Sequence, residues 1–215
     1  VNAFVDINGK PIANKNKIAL LDIAIDTFSL NGFSAVSIRD ITRKAGIKES
    51  SFYNHFRSKD ELLETIFVNF RKSVQKIMPP LERVDDIVAA MDPKSFLLTG
   101  LRNFRDHVQS PKMEQIWRII YLEQCRNPMA REMYVTEIVQ GVTAFLEVVF
   151  RKYIERNQIR PYDPKTLAVE YQYPLFAMIS EFILLRLDRR STEEIERRMT
   201  DHAVFFSHVI CRSEE

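Results

Sequence analysis

Glycine is scarce in this chain: five residues in 215. An all-β protein needs more turn glycines than that. With Leu, Ile, Ala, Glu, Lys and Arg dominating, the shortage points to helices joined by short connections. Cysteine is scarcer still. Cys125 and Cys211 lie far apart with no metal-ligand spacing, which excludes a disulfide framework and a cysteine-based metal centre and reads as two reduced thiols. Long apolar runs are also missing; a stretch such as 182–185 falls far short of a membrane span. The start, VNAFVDINGKPIANKNK, has no basic stretch leading into an apolar one and does not read as a secretory signal. These absences predict a cytoplasmic, all-α protein with no membrane role.

A large excess of one charge is lacking too, the formal net charge being +2. The balance is uneven, however. Between Lys15 and Lys59 there are eight Lys/Arg against four acids, leaving the remainder at −2. A basic head on a slightly acidic body suits a polyanion partner for the head, although a solvated face would give the same asymmetry.

Prolines preceded by Ser, Asp or Asn (Asp92-Pro93, Ser110-Pro111, Asn127-Pro128, Asp163-Pro164) mark helix starts. Periodicity predicts helices over 15–31, 38–45, 49–55, 59–78, 81–91, 94–108, 112–126, 129–157, 165–187 and 192–211, with Pro174 kinking the penultimate one. Residues 1–14 read as a flexible N-terminal arm. The first helix carries an apolar stripe (Ile18, Leu21, Ala24, Ile25, Phe28) and stops at Asn31-Gly32. Ser37 and Asp40 form a capping box for a helix of about two turns that ends at Gly46. A second short helix begins two or three residues on, with Phe52 and Phe56 as inward anchors beside Ile47. Two short helices joined by a glycine turn are the signature of a helix-turn-helix. Lys48, Glu49, Ser50, Ser51, Tyr53, Asn54 and His55 are left to face outward or sideways. Ser58 and Glu61 begin the next helix as a second capping box, beside which Lys59 can offer its cation to a phosphate.

The run SIRDITRKAGIKESSFYNHFRSKDELL, with IALLDIAIDTFSLNGF before it, closely resembles the DNA-binding head of TetR-family transcriptional regulators over about residues 16–70. The resemblance implies an N-terminal three-helix helix-turn-helix head (15–60) on a C-terminal all-helical body (61–215) that binds an effector and dimerises. Carried over by position, Ser37, Tyr53, His55 and Lys59 contact backbone phosphates. Lys48, Glu49, Ser50 and Ser51 lie nearest the base edges, with Arg39 and Asn54 beside them. The chain departs from the family at Lys48, where a Ser or Thr cap is usual, and at Ser50, often glycine. Each assignment has a plain rival: Tyr53 packing its ring on the first helix, His55 as a surface histidine, Lys59 as a solvated first-turn lysine.

In the body, Phe104, Trp117, Tyr121 and Tyr171 are the aromatic candidates for an effector wall, although aromatic stripes at helical spacing also build cores. An apolar or aromatic effector suits them. The last two helices carry Leu167, Tyr171, Leu175, Ile179, Phe182, Ile183, Ile195, Met199, His202, Phe206 and Val209, more apolar surface than a lone body needs, which predicts a homodimer. The 59–78 helix is the natural lever between head and body. His107, His202 and His208 lack partners at catalytic spacing and there is no phosphate loop, so neither an enzyme nor a cofactor or metal is expected. The expected function is an effector-released repressor on a palindromic operator; the alternative is an activator, or a regulator controlled by a protein partner.

Overall fold

The computed structural model describes residues 4–212, so residues 1–3 of the expected arm and the last three of the body lie outside the described residues. Every regular element described is helical, with two isolated bridges, Val5–Pro11 and Ile159–Cys211. In chain order they are α1 (Lys15–Asn31), α2 (Ile38–Ala45), α3 (Glu49–Phe52), α4 (Lys59–Ile77), a 3-10 turn (Leu81–Arg83), α5 (Val84–Ala90), α6 (Pro93–Gln109), α7 (Pro111–Glu123), α8 (Pro128–Glu132), a π-helical stretch (Met133–Gln140), α9 (Gly141–Glu155), α10 (Pro164–Leu187) and α11 (Glu193–Ile210). The all-α expectation is met.

The chain forms two compact units, Val1–Lys76 with Val108–Val135, and Ile77–His107 with Thr136–Glu215. This division departs from a boundary at residue 60. The first four helices recruit α7, which packs along α1 through a Lys112–Asp22 ion pair and a 2.8 Å bond from Gln115 Nε2 to Asp26 Oδ1. Leu20, Leu21, Ala24, Ile25 and Phe28 of α1, Ile41 of α2, Phe52, Phe56, Leu62, Leu63 and Ile66, and Ile116, Ile119 and Ile120 of α7 are all buried there.

Residues 4–14 are not a loose arm. Phe4, Val5 and Ile12 are buried, and the chain folds back with Ile12 N–H donating to the Phe4 carbonyl at 2.7 Å. Asn69 of α4 then clasps Val5, accepting from its N–H at 2.8 Å and donating to its carbonyl at 2.7 Å. The Lys112 ammonium sits 4.6 Å from the Phe4 ring centre. No local pattern in the sequence announces a clasp made across 64 residues.

In the second unit α10 lies against both α9 and α11, and α5 against α9. Phe150 meets Tyr171 and Phe206, and the Tyr153 hydroxyl donates to the Met91 carbonyl at 2.8 Å. Asp163 caps α10 with Pro164 at its first position, and the helix runs unbroken through Pro174 to Leu187. The helix expected over 129–157 is interrupted by the π-helical stretch, whose wider turn the apolar periodicity does not distinguish from an α-turn. Across that interruption, Pro128–Glu155 is long and apolar enough to span a membrane by length and composition, contrary to the reading from apolar runs. Its Phe145, Leu146, Val149, Phe150 and Tyr153 are nonetheless buried in the protein, as in a core helix.

The apolar residues assigned from sequence to a surplus face on the last two helices are mostly core: Leu167, Tyr171, Leu175, Ile179, Phe182, Ile183, Ile195, Met199 and Phe206 are buried. Of that set Val209 alone among the large apolar residues is exposed; the other exposed ones were not in it. Tyr173 and Leu184 of α10, and Phe205 and Val209 of α11, face solvent, with Leu184 62% and Phe205 67% exposed. Arg198 bridges the two helices to Glu181 at 3.3 Å.

Candidate nucleic-acid interface

The start of α2 is built as the local sequence demands. Ser37 Oγ accepts from Asp40 N–H at 3.1 Å, while Asp40 Oδ2 accepts from Ser37 N–H at 3.0 Å and from its hydroxyl at 2.6 Å. The Ser37 hydroxyl and then its backbone N–H, both donating to the Asp40 carboxylate, hold that carboxyl below the usual carboxylate range. Gly46 ends α2 in the left-handed conformation (φ 68°), which a side chain adopts only at a cost. The chain turns there into α3.

The second short helix is shorter than its periodicity suggests. Regular α-geometry covers Glu49–Phe52, and the chain continues by tighter turns, with Asn54 N–H donating to Ser51 O at 3.3 Å and His55 N–H to Phe52 O at 2.9 Å. Lys48 stands at the N-cap with no side-chain cap bond, so nothing rewards a longer regular helix. Phe52 and Phe56 are completely or almost completely buried and hold the element inward, their rings 5.7 Å apart. Outward lie Lys48, Glu49, Ser50, Tyr53 and Asn54, all exposed, with Ser51 and His55 half-buried beside them. Tyr53 is 59% exposed and its ring edge meets Phe52 at 5.5 Å. Arg39 of α2 reaches Glu49 at 3.9 Å, which brings the two short helices' polar faces together.

Ser58 Oγ accepts from Glu61 N–H at 3.1 Å, but Glu61 does not complete a capping box. Its carboxylate reaches back to Arg57 instead, accepting from the backbone N–H and from Nε at 2.8 Å each.

Lys59 does something other than wait for a phosphate. Its ammonium donates to the carbonyls of Phe33 and Val36 at 2.8 Å each and lies 4.2 Å from the Phe33 ring centre. Desolvation lowers its pKa. The loop from α1 to α2 is thereby tied to the first turn of α4. Sequence spacing places Lys59 beside a helix N-terminus, but partners 23 and 26 residues away decide where its charge goes. Replacing it by Met (Lys59→Met) leaves two carbonyls without a charged donor and is expected to cost about 2 kcal/mol in urea unfolding. A loss below about 0.5 kcal/mol would place the ammonium in solvent, not on the loop.

One residue of this network escaped the sequence reading. Glu123, 3% exposed at the end of α7, accepts from Phe33 N–H at 2.8 Å through Oε1. The legible signal was an acid continuing the apolar stripe Ile116, Ile119, Ile120.

The aromatic candidates divide between the units. Trp117 and Tyr121 of α7 form a row in the first, with Phe70 at 5.2 Å from Trp117 and Tyr134 at 5.8 Å from Tyr121. Phe104 and Tyr171 belong to the second. Tyr171 is core there, parallel to the His202 ring at 5.5 Å, and burial pushes its phenol up.

Comparison with known proteins gives the arrangement its family. The profile for "Bacterial regulatory proteins, tetR family" matches residues 20–66. Over 138 residues the chain is 30% identical to the HTH-type transcriptional repressor KstR2 of Mycobacterium tuberculosis, covering 60% of this chain and 68% of that one. A putative transcriptional regulator from Saccharomonospora viridis, solved with choline, superposes with a TM-score of 0.65 at 18% identity, covering 92% of this chain and 98% of its own. The SmeT–triclosan complex, SmeT being a Stenotrophomonas maltophilia repressor, gives 0.67 at 15% identity and 93% of each chain. The relatives regulate transcription and are not enzymes. With its head, its recruited α7 and its all-helical remainder in place, the chain belongs to the TetR family of bacterial transcriptional regulators.

Proposed function

We propose that the protein is a cytoplasmic, dimeric repressor that holds a palindromic DNA operator with paired α2–α3 surfaces and lets go when a small apolar or aromatic effector binds. The observation that carries this reading is the polar row from Lys48 to His55, presented outward by two buried phenylalanines on a helix too short to be a core element. Ser37, Tyr53 and His55 suit phosphates; Lys48, Glu49, Ser50, Ser51 and Asn54, with Arg39, lie where base edges would pass. The Arg39–Glu49 contact, exposed on both sides, opens at little cost when DNA arrives. Lys59 is assigned to positioning the α1–α2 loop, since two of its three donors are committed there.

For the effector, the α7 row of Trp117 and Tyr121 favours a flat apolar molecule. KstR2 is a named repressor, and SmeT was solved with triclosan, an aromatic compound; both support the reading by kinship. Phe104 and Tyr171 remain expected contributors, Tyr171 the weaker for its place in the core. Effector binding would act by population shift, favouring a spacing of the two heads that no longer fits successive major grooves about 34–36 Å apart.

The solvent-facing Tyr173, Leu184, Phe205 and Val209 support pairing through α10 and α11. Phe205→Glu is expected to turn a dimer into a monomer in sedimentation velocity at micromolar protein while leaving the helix content unchanged. A wild-type chain that sediments as a monomer would remove the dimer from the account. Selection of duplexes from a random pool by the full chain tests the function itself. Enrichment of a palindrome supports it; a pool with no enriched sequence after repeated rounds counts against it.

A further inference from the structure

We infer that Glu123 is a positioning residue that latches the α1–α2 loop to α7, and that breaking this latch is how an event at the α7 aromatic row reaches the DNA-facing surface. The second half rests on the reading of Trp117 and Tyr121 as effector contacts.

The peptide units at Phe33 are gripped from two sides. The Glu123 carboxylate takes the Phe33 N–H at 2.8 Å, and the Lys59 ammonium takes the Phe33 and Val36 carbonyls at 2.8 Å each. The charges of Glu123 and Lys59 attract one another as well. Three residues beyond Val36's neighbour Ser37, the capping box closes with Asp40, so whatever fixes this loop fixes the start of α2. The fit at the latch is close. A Cβ on Gly32, at φ 80°, would lie 3.0 Å from Glu123 Oε1, so the carboxylate would have to shift slightly to admit it.

Two features make this contact a switch and not simply a strut. Glu123 spends only one oxygen on the loop; Oε2 is buried with no hydrogen-bond partner among the described residues. A half-satisfied buried carboxylate is held in place by its helix and yields when that helix moves. Glu123 is also on the same helix as the aromatic row, two residues after Tyr121 and six after Trp117, so a ligand wedged against those rings displaces the carboxylate with them. The loop-side partner, Phe33, packs its ring edge on Phe28 of α1 at 5.2 Å and cannot follow without disturbing α1. By linkage, DNA held at α2 must in turn restrain Trp117.

Two measurements on the full-length chain test this. Amide exchange in the DNA-free protein comes first. Phe33 N–H, although in a loop, is expected to exchange at least about tenfold more slowly than the exposed Ala35 N–H of the same loop. Glu123→Ala is expected to abolish that difference, and Glu123→Gln, which still offers an oxygen, to restore most of it. Tyr121→Ala, in the aromatic row, is expected to speed Phe33 exchange as well. Equal rates at Phe33 and Ala35 in the unaltered protein overturn the latch without recourse to any variant or to DNA. The second measurement uses the palindromic duplex recovered by selection. Trp117 is the chain's single tryptophan, so its emission reports α7 directly. Duplex binding is expected to shift that emission in the wild type and not in Glu123→Ala, whose affinity falls about tenfold. An equal emission shift in both proteins overturns the transmission. Failure of the wild type to bind any duplex sinks the repressor reading instead, and the exchange rates still decide the latch.

Discussion

Phe52→Ala is expected to lose about 3–5 kcal/mol of stability and all measurable operator binding. Phe52 is wholly buried, it touches the rings of Phe56 and Tyr53, and it is the last residue of a helix only four residues long. So short a helix has almost no stability of its own, because the cost of nucleation is spread over too few hydrogen bonds. Its position is therefore set by its anchors. Removing one of the two phenylalanine rings that hold it inward leaves a cavity and frees Tyr53 and His55 from fixed places. Urea unfolding followed by circular dichroism measures the first effect and a gel shift the second. A loss below about 1 kcal/mol would mean that the surface is not held by this ring.

Acidification is expected to remove about 3 kcal/mol between pH 6.5 and pH 4, a large part of it through one side chain. His107 is buried at the end of α6, and desolvation lowers its pKa from 6.5 to about 4. Its folded pKa lies below its unfolded one, so between these values the unfolded chain binds the extra proton and the folded chain does not. Stability is thus full above about pH 6.5 and declines as pH falls through that window toward about pH 4. His107→Leu, which cannot take up a proton, is expected to flatten this part of the profile. An unaltered slope in that variant would assign the acid sensitivity elsewhere. The histidine has no place in the DNA-facing surface, so the effect concerns the fold and not recognition.

The sequence was most informative where partners are near neighbours. Ser37 and Asp40 are three residues apart, and a box at that spacing has one geometry; Gly46 and the Phe52–Phe56 pair are similarly local. Lys59, Asn69 and Glu123 were misread or missed because their partners lie 23 to 90 residues away and meet them only after folding. The same limit explains the recruitment of α7. Its stripe of Ile116, Ile119 and Ile120 says that it is buried, but not that α1 is what buries it. On α10 and α11 the periodicity identified apolar stripes without saying which stripe faces inward; the core claimed the longer set and left Tyr173, Leu184 and Phe205 outside. The π-helical stretch has the composition of an α-helix and differs from one only in how its hydrogen bonds register.

Salt titration of the selected duplex tests the central claim most directly. If the Lys48–His55 surface lies against the duplex, the logarithm of the binding constant falls linearly with the logarithm of salt concentration, and Lys48→Ala, which takes a cation out of that surface, makes the fall less steep. Binding that ignores salt, or a slope the same with and without Lys48, would contradict it.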